Sequence, residues 1–157
     1  LVKCRDDAVA AFDYLTEQMH LAPSSIVAYG ESVGTGFTSE LSAKRKVGAI
    51  ILQSPFTSLP DVASDNLFFL KLYPSWIYPE PHLSIIDIMS HPHAPLLIIH
   101  GKQDQILKYR YSEQIMKRAQ DQKTLILLPD AGHNDVYEKN VDLTMSAIDK
   151  FISGLPD

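Results

Sequence analysis

The sequence predicts an α/β domain with an open parallel sheet covered by helices. Three observations carry that expectation. Four short runs, IVAY, VGAIILQ, LLIIH and TLILLP, are apolar almost throughout, the pattern of strands buried on both faces. Other segments repeat apolar residues at the i, i+4, i+7 spacing of an amphipathic helix. The two kinds of segment alternate along the chain, which calls for crossover connections and therefore parallel strands.

The elements follow in order. Asp6 and Asp7 precede the spacing Ala8, Phe12, Leu15 and Met19, so a first helix is expected there, with Pro23 ending it. The first strand runs from Ile26 to Tyr29, and from Val33 the pattern is helical as far as the basic cluster Lys44-Arg45-Lys46. VGAIILQ is the second strand, closed by Ser54-Pro55. Ser58, Pro60 and Asp61 mark a helix start that leads into Leu67-Phe68-Phe69-Leu70. YPSWIYPEP is proline-punctuated and aromatic, and is not expected to form one regular element.

After Pro95, LLIIH is the third strand, and residues 109–120 read as a helix with Ile115, Met116 and Ala119 on one face. TLILLP is the fourth strand. Val141, Met145, Ile148 and Ile152 repeat the i, i+4, i+7, i+11 spacing of a closing helix, with Gly154 beyond its end. Residues 1–157 thus read as a single domain, with 56–95 inserted between two strands. No internal repeat or low-complexity segment interrupts it.

Composition narrows the function classes. The chain has 157 residues, 45% hydrophobic and 21% charged, which is enough for one core and ordinary for a globular domain. A net charge of −5 offers no basic footprint, so no nucleic-acid partner is expected. No apolar run reaches the about 18 residues that a membrane span requires. The single Cys4 excludes an internal disulfide and favours a cytoplasmic setting, although localisation and oligomeric state have no signal of their own.

The motif with chemical content is Gly30-Glu31-Ser32-Val33-Gly34, with a strand before it and a helix after it. In a G-x-S-x-G turn of this kind the serine hydroxyl is lifted clear of the sheet. Gly30 and Gly34 give the backbone room to bend, and the Val33 N–H at the helix start points toward a developing oxyanion. The alternative is a flexible glycine loop. Glu31 either tunes the site or faces solvent.

A serine hydroxyl needs a base, and two strand ends supply partners. Asp104 follows the third strand in HGKQD, and His133 follows the fourth in PDAGHND. Loops at the carboxyl ends of parallel strands share one edge of the sheet. Asp130 and Asp135 are nearer to His133 in sequence, but Asp104 is preferred as the acid because it follows a strand of its own. Gly132 is expected to turn the chain so that His133 projects inward. His91 and His93 lack a third ligand at metal-site spacing and read as part of a proline-rich loop, so no metal and no organic cofactor is expected. His100 reads as a buried structural histidine, and Cys4 has no activating neighbour. Phe68, Phe69, Tyr73, Trp76 and Tyr78 either line an apolar pocket for an acyl chain or pack the insertion against the domain.

YGESVGTG, AIILQSPFTSL, PLLIIHGKQD and DAGHND together resemble the α/β-hydrolase superfamily across nearly the whole chain, in particular its serine-aminopeptidase-like and prolyl-oligopeptidase-like branch. The resemblance implies Ser32 as nucleophile, Asp104 as acid and His133 as general base of a serine hydrolase. It implies an ester, thioester or amide substrate, with a carboxylic ester or acyl group placed first and a peptide second. It also implies that residues 56–95 form a variable cap. The family's further strands, and a loop often reading HG that supplies a second oxyanion N–H, have no counterpart before Ser32. With no initial methionine and a helix almost at once, the chain is expected to be the C-terminal half to two-thirds of a hydrolase domain. IVAY would then lie at a sheet edge, and any anchor or targeting segment would lie upstream. The rival class is a non-catalytic or truncated hydrolase-like binding scaffold.

Overall fold

The computed structural model describes residues 2–67, 82–120 and 122–155. Phe68, Phe69, Tyr73, Trp76 and Tyr78, named above for the insertion, lie outside the described residues. Four strands, β1 (Val27–Glu31), β2 (Ala49–Gln53), β3 (Leu96–Gly101) and β4 (Lys123–Leu128), pair in parallel in that order. Every residue of β2 and β3 is buried, as their unbroken apolar runs require. At the edges the pattern relaxes. β1 keeps Tyr29 and Glu31 exposed, and β4 begins exposed at Lys123 and Thr124.

The two faces of the sheet are covered unequally. Ile50, Leu52, Leu96 and Ile98 point to one face, where α1 (Val2–Asp13), α2 (Gly34–Lys44), α3 (Leu59–Asn66), α4 (Ile85–Met89) and α5 (Arg110–Arg118) supply partners. Phe12, Ile85, Met89, Tyr111 and Ile115 are buried there. Ala49, Ile51, Leu97 and Ile99 point to the other face, packed by Val136 and Phe151 of α6 (Val136–Ser153). Each fully buried Leu or Ile contributes about 1.5–3 kcal/mol, so stability is concentrated in β2 and β3.

Local chemistry explains most element boundaries. α3 starts where Ser58 Oγ accepts the Asp61 N–H at 3.1 Å, a side-chain N-cap with Pro60 in the first turn. Arg45, just past α2, makes a two-pronged ion pair to Asp13 at 2.6 and 2.7 Å and ties the ends of α1 and α2 together. Gly48 enters β2 against the Ser24 carbonyl, which a Cβ would meet at 1.9 Å.

Three expectations change. α1 begins at Val2, so Asp6 and Asp7 lie inside it rather than at its positive end. It runs on through a π-turn over Tyr14–Gln18 and stops at His20, whose φ of 55° reverses the chain before Pro23 is reached. The insertion contains α4, which the proline spacing hides. Phe56, Leu83, Ile85 and Met89, near the two ends of 56–95, are almost fully buried in the main core.

The third change concerns α6. Val141, Met145 and Ile152 are exposed, whereas Val136, Thr144 and Phe151 are buried. The helix kinks at Asn140 (φ −138°, ψ 35°), and Asn140 Nδ2 and Thr144 Oγ1 are buried without a hydrogen-bond partner among the described residues. Packing of Val136 directly after the His133 loop, together with the larger Phe151, rotates the helix by about one residue from the stripe the spacing suggests. Phe151→Ala is therefore expected to cost about 3–5 kcal/mol in urea denaturation. Met145→Ser should stay within about 0.5 kcal/mol; equal losses at both positions would contradict this packing.

Candidate active site

Parallel pairing brings the carboxyl ends of β1, β3 and β4 to one edge of the sheet, and the candidate residues lie just beyond those ends. Ser32 follows β1 with φ 52°, a left-handed conformation uncommon for a residue with a side chain. Its N–H donates to the Gln53 carbonyl at 3.0 Å, and its carbonyl accepts from Thr35 N–H at 3.0 Å and Thr35 Oγ at 2.5 Å. Thr35 is fully buried. The turn is thus held from both sides by residues that the motif does not contain.

The two flanking glycines differ. A Cβ on Gly30 would lie 2.4 Å from Thr38 Oγ1 and 2.6 Å from the Gly34 carbonyl, so α2 can pack on β1 only if position 30 has no side chain. At Gly34 a Cβ would meet nothing within 4 Å, and among the described residues no glycine has a positive φ. Support of the turn therefore rests on Gly30 and on Ser32's own strained backbone. Val33 is the N-cap residue of α2, with its side chain exposed. The first N–H groups of a helix have no partner within it.

The structure brings Ser32, His133 and Asp104 together in one chain of hydrogen bonds. His133 Nε2 lies 2.9 Å from Ser32 Oγ, and His133 Nδ1 lies 2.7 Å from Asp104 Oδ2. The Asp104 side chain is fully buried and that of His133 only 9% exposed. Asp104 Oδ1 accepts the Ile106 and Leu107 N–H groups, each at 2.8 Å. Burial by itself would push the carboxyl up, but donors from His100, His133, Leu107 and Ile106 outweigh it and hold the carboxyl at about 2.

The loops that carry the acid and the histidine are tied to each other. Gln103 N–H donates to the Ala131 carbonyl at 2.9 Å, and Lys102 N–H to the Leu128 carbonyl at 2.8 Å. Gly101 permits that approach, since a Cβ there would fall 2.3 Å from Ala131 O. Asp135 does not face the imidazole. Its Oδ1 accepts the Gly132 N–H at 2.5 Å and its Oδ2 pairs with Lys139 at 2.6 Å, which closes the loop around His133. Next to the serine turn, Tyr29 OH donates to Gln53 Oε1 at 2.5 Å and lies 3.1 Å from Tyr137 OH, linking β1, β2 and α6.

The remaining polar candidates stay apart from this chain of bonds. His91 Nδ1 lies 2.9 Å from the Asp87 carbonyl and His93 Nδ1 lies 2.7 Å from the Ala94 carbonyl. Among the described residues no group of three or more His, Cys, Asp or Glu is placed to hold a metal ion. Cys4 is exposed, and no described helix is long and apolar enough to cross a membrane. Thr35, Gln53, His100 and Ser112 were not named as site residues from the sequence. Of these only His100, four residues before Asp104 in the HGKQD stretch, carried any signal there.

A parallel sheet with a serine on the turn after one strand and its partners after two others defines an α/β-hydrolase fold. The model of the prolyl oligopeptidase family matches residues 2–153, and the chain belongs to that family. It is 32% identical over 147 residues to an uncharacterized protein of Mycobacterium tuberculosis, covering 94% of this chain and 51% of that one. It is 32% identical over 130 residues to alpha/beta hydrolase domain-containing protein 17B of Homo sapiens, covering 83% of this chain and 43% of the relative. An esterase from Pyrococcus furiosus shares the fold with a TM-score of 0.75 and 18% identity, over 95% of this chain and 61% of that one. The chain spans about half the length of the curated relatives it matches.

Two measurements test this geometry. Gly30→Ala should destabilise by about 1–3 kcal/mol, whereas Gly34→Ala, in open space at the start of α2, should be neutral or stabilise by up to about 1 kcal/mol. Because the Asp104 carboxyl is held below its unfolded value, its contribution to stability is present above about pH 4 and lost as pH falls toward 2. In acid titrations followed by circular dichroism, Asp104→Asn should therefore lose less stability than the parent chain over that interval. Parallel curves would refute the assignment.

Proposed function

We propose that this chain carries the chemistry of a serine hydrolase that transfers an acyl group to water. One observation carries the reading: the imidazole of His133 bridges Ser32 Oγ at 2.9 Å and a buried carboxylate at 2.7 Å. In that arrangement His133 takes the Ser32 proton as Oγ attacks a carbonyl carbon, and Asp104 holds the ring and stabilises its charged form. The Val33 N–H, at the positive end of α2, helps to hold the oxyanion. Collapse of the tetrahedral intermediate expels an alcohol, thiol or amine that takes its proton from His133. Water then attacks the acyl-enzyme with His133 again as base.

The substrate placed first is a carboxylic ester or other activated acyl group, since an alkoxide or thiolate leaves more readily than an amine. The second reading is a peptide or aminoacyl amide, which the membership of the prolyl oligopeptidase family favours. The segment inserted between β2 and β3 is the part of the chain proposed to bound the substrate in either case. Where one of two oxyanion donors has been removed, the rate falls by about 10²–10³, so a site that holds the oxyanion through the Val33 N–H alone is expected to react slowly.

Fluorophosphonate labelling tests the triad. The parent chain should be labelled, and Ser32→Ala should not. His133→Ala should label far more slowly, and Asp104→Asn should lower turnover by up to about 10⁴. Labelling that survives Ser32→Ala would overturn the assignment. Comparison of p-nitrophenyl acyl esters with aminoacyl p-nitroanilides separates the two substrate classes.

A further inference from the structure

His100, the penultimate residue of β3, is fully buried and has both ring nitrogens engaged. Nδ1 lies 2.6 Å from Ser112 Oγ on α5. Nε2 lies 2.8 Å from the Leu107 carbonyl and 3.2 Å from Asp104 Oδ2. A carbonyl and a carboxylate only accept, so Nε2 must carry a proton. The Ser112 hydroxyl, which can donate or accept, anchors the ring at Nδ1 from the opposite side. Ser112 is itself fully buried, so water does not compete for that bond.

Both acceptors of the Nε2 proton belong to the same structural unit. The shorter arm pins Leu107, whose N–H, together with that of Ile106, grips Asp104 Oδ1. The longer arm reaches Oδ2, the oxygen that also accepts from His133 Nδ1. Asp104 is therefore held on both oxygens, and His100 acts on each side. A side chain present only to fill space would need neither contact, and burying a polar ring for packing alone is unfavourable.

We propose that His100 is a positioning residue for the hydrolase reaction. It holds Asp104 and its turn in the orientation that presents Oδ2 to His133, and Ser112 anchors the ring in that position. The role rests on the triad reading given above, because His100 acts on Ser32 only through Asp104 and His133.

Three variants of the full chain, His100→Leu, His100→Gln and Ser112→Ala, test it by two measurements. The first is the second-order rate constant for fluorophosphonate labelling of Ser32, taken alongside the melting temperature. The second is the proton resonance of the His133 Nδ1–H, which does not require turnover. His100→Leu should label about ten- to a hundredfold more slowly while still melting cooperatively, the loss expected for one hydrogen bond to a charged group. His100→Gln, which keeps an N–H in reach of the same acceptors, should recover most of that rate. Ser112→Ala should label more slowly than the parent chain. The His133 Nδ1–H resonance should be present in the parent chain and weakened or lost in His100→Leu.

Labelling of His100→Leu at the parent rate overturns the proposal. So do equal losses in the leucine and glutamine variants that track only a lowered melting temperature. Should His100→Leu fail to fold, parent-like rates in both His100→Gln and Ser112→Ala overturn it instead. Absence of labelling in the parent chain counts against the triad reading. The proton resonance then decides for His100, and its persistence in the substituted protein refutes the positioning role.

Discussion

A carboxylate buried at the end of a β-strand must be surrounded by donors, and much of this structure can be traced to meeting that requirement for Asp104. Two backbone N–H groups from its own turn, one imidazole from the strand before it and one from the loop after β4 converge on its two oxygens. Each donor constrains a different element. The Ile106 and Leu107 contacts shape the turn between β3 and α5, His100 ties that turn to α5 through Ser112, and His133 draws in the loop before α6. Removal of any one donor leaves the carboxylate short of a partner in a dry environment, so the elements are coupled through a single side chain.

The serine turn is built on a different principle. Its strain is local, in a residue at φ 52°, and is held by Gln53 on β2 and Thr35 on α2 rather than by charge. The close packing of α2 on Gly30 fixes where the hydroxyl emerges. Two independently stabilised units, one strained and one ionic, therefore meet at the His133 imidazole. The sheet sets their separation, because the parallel register places all three strand ends on the same edge. Among the described residues the sheet is covered asymmetrically, with α1 to α5 on one face and α6 on the other.

Some of this was legible in residue order and some was not. The strands could be read because β2 and β3 are buried on both faces, so their apolar runs are nearly continuous. The spacing of Val141, Met145, Ile148 and Ile152 marks the closing helix, but of these only Ile148 packs on the core, because the helix docks through Val136 and Phe151 around a kink. Spacing reports which residues can share a face, not which face the neighbouring loop turns inward. α4 was missed since five residues between prolines carry too little periodicity to register. Gly34 was credited with a turning role that the open space beside it does not call for.

By itself the sequence determined the class of fold and the order of the three candidate site residues along it. Both depend on local patterns: apolar runs, glycine next to serine, and polar residues just past strand ends. Tertiary structure alone decided that Asp135 closes the loop around His133 through Gly132 and Lys139, that His100 and Ser112 stand behind Asp104, and that Thr35 and Gln53 hold the serine turn. These are distances between segments up to about a hundred residues apart, as for Ser32 and His133. Only the packed sheet and helices bring such segments within hydrogen-bond range, where short-range forces select one partner over another.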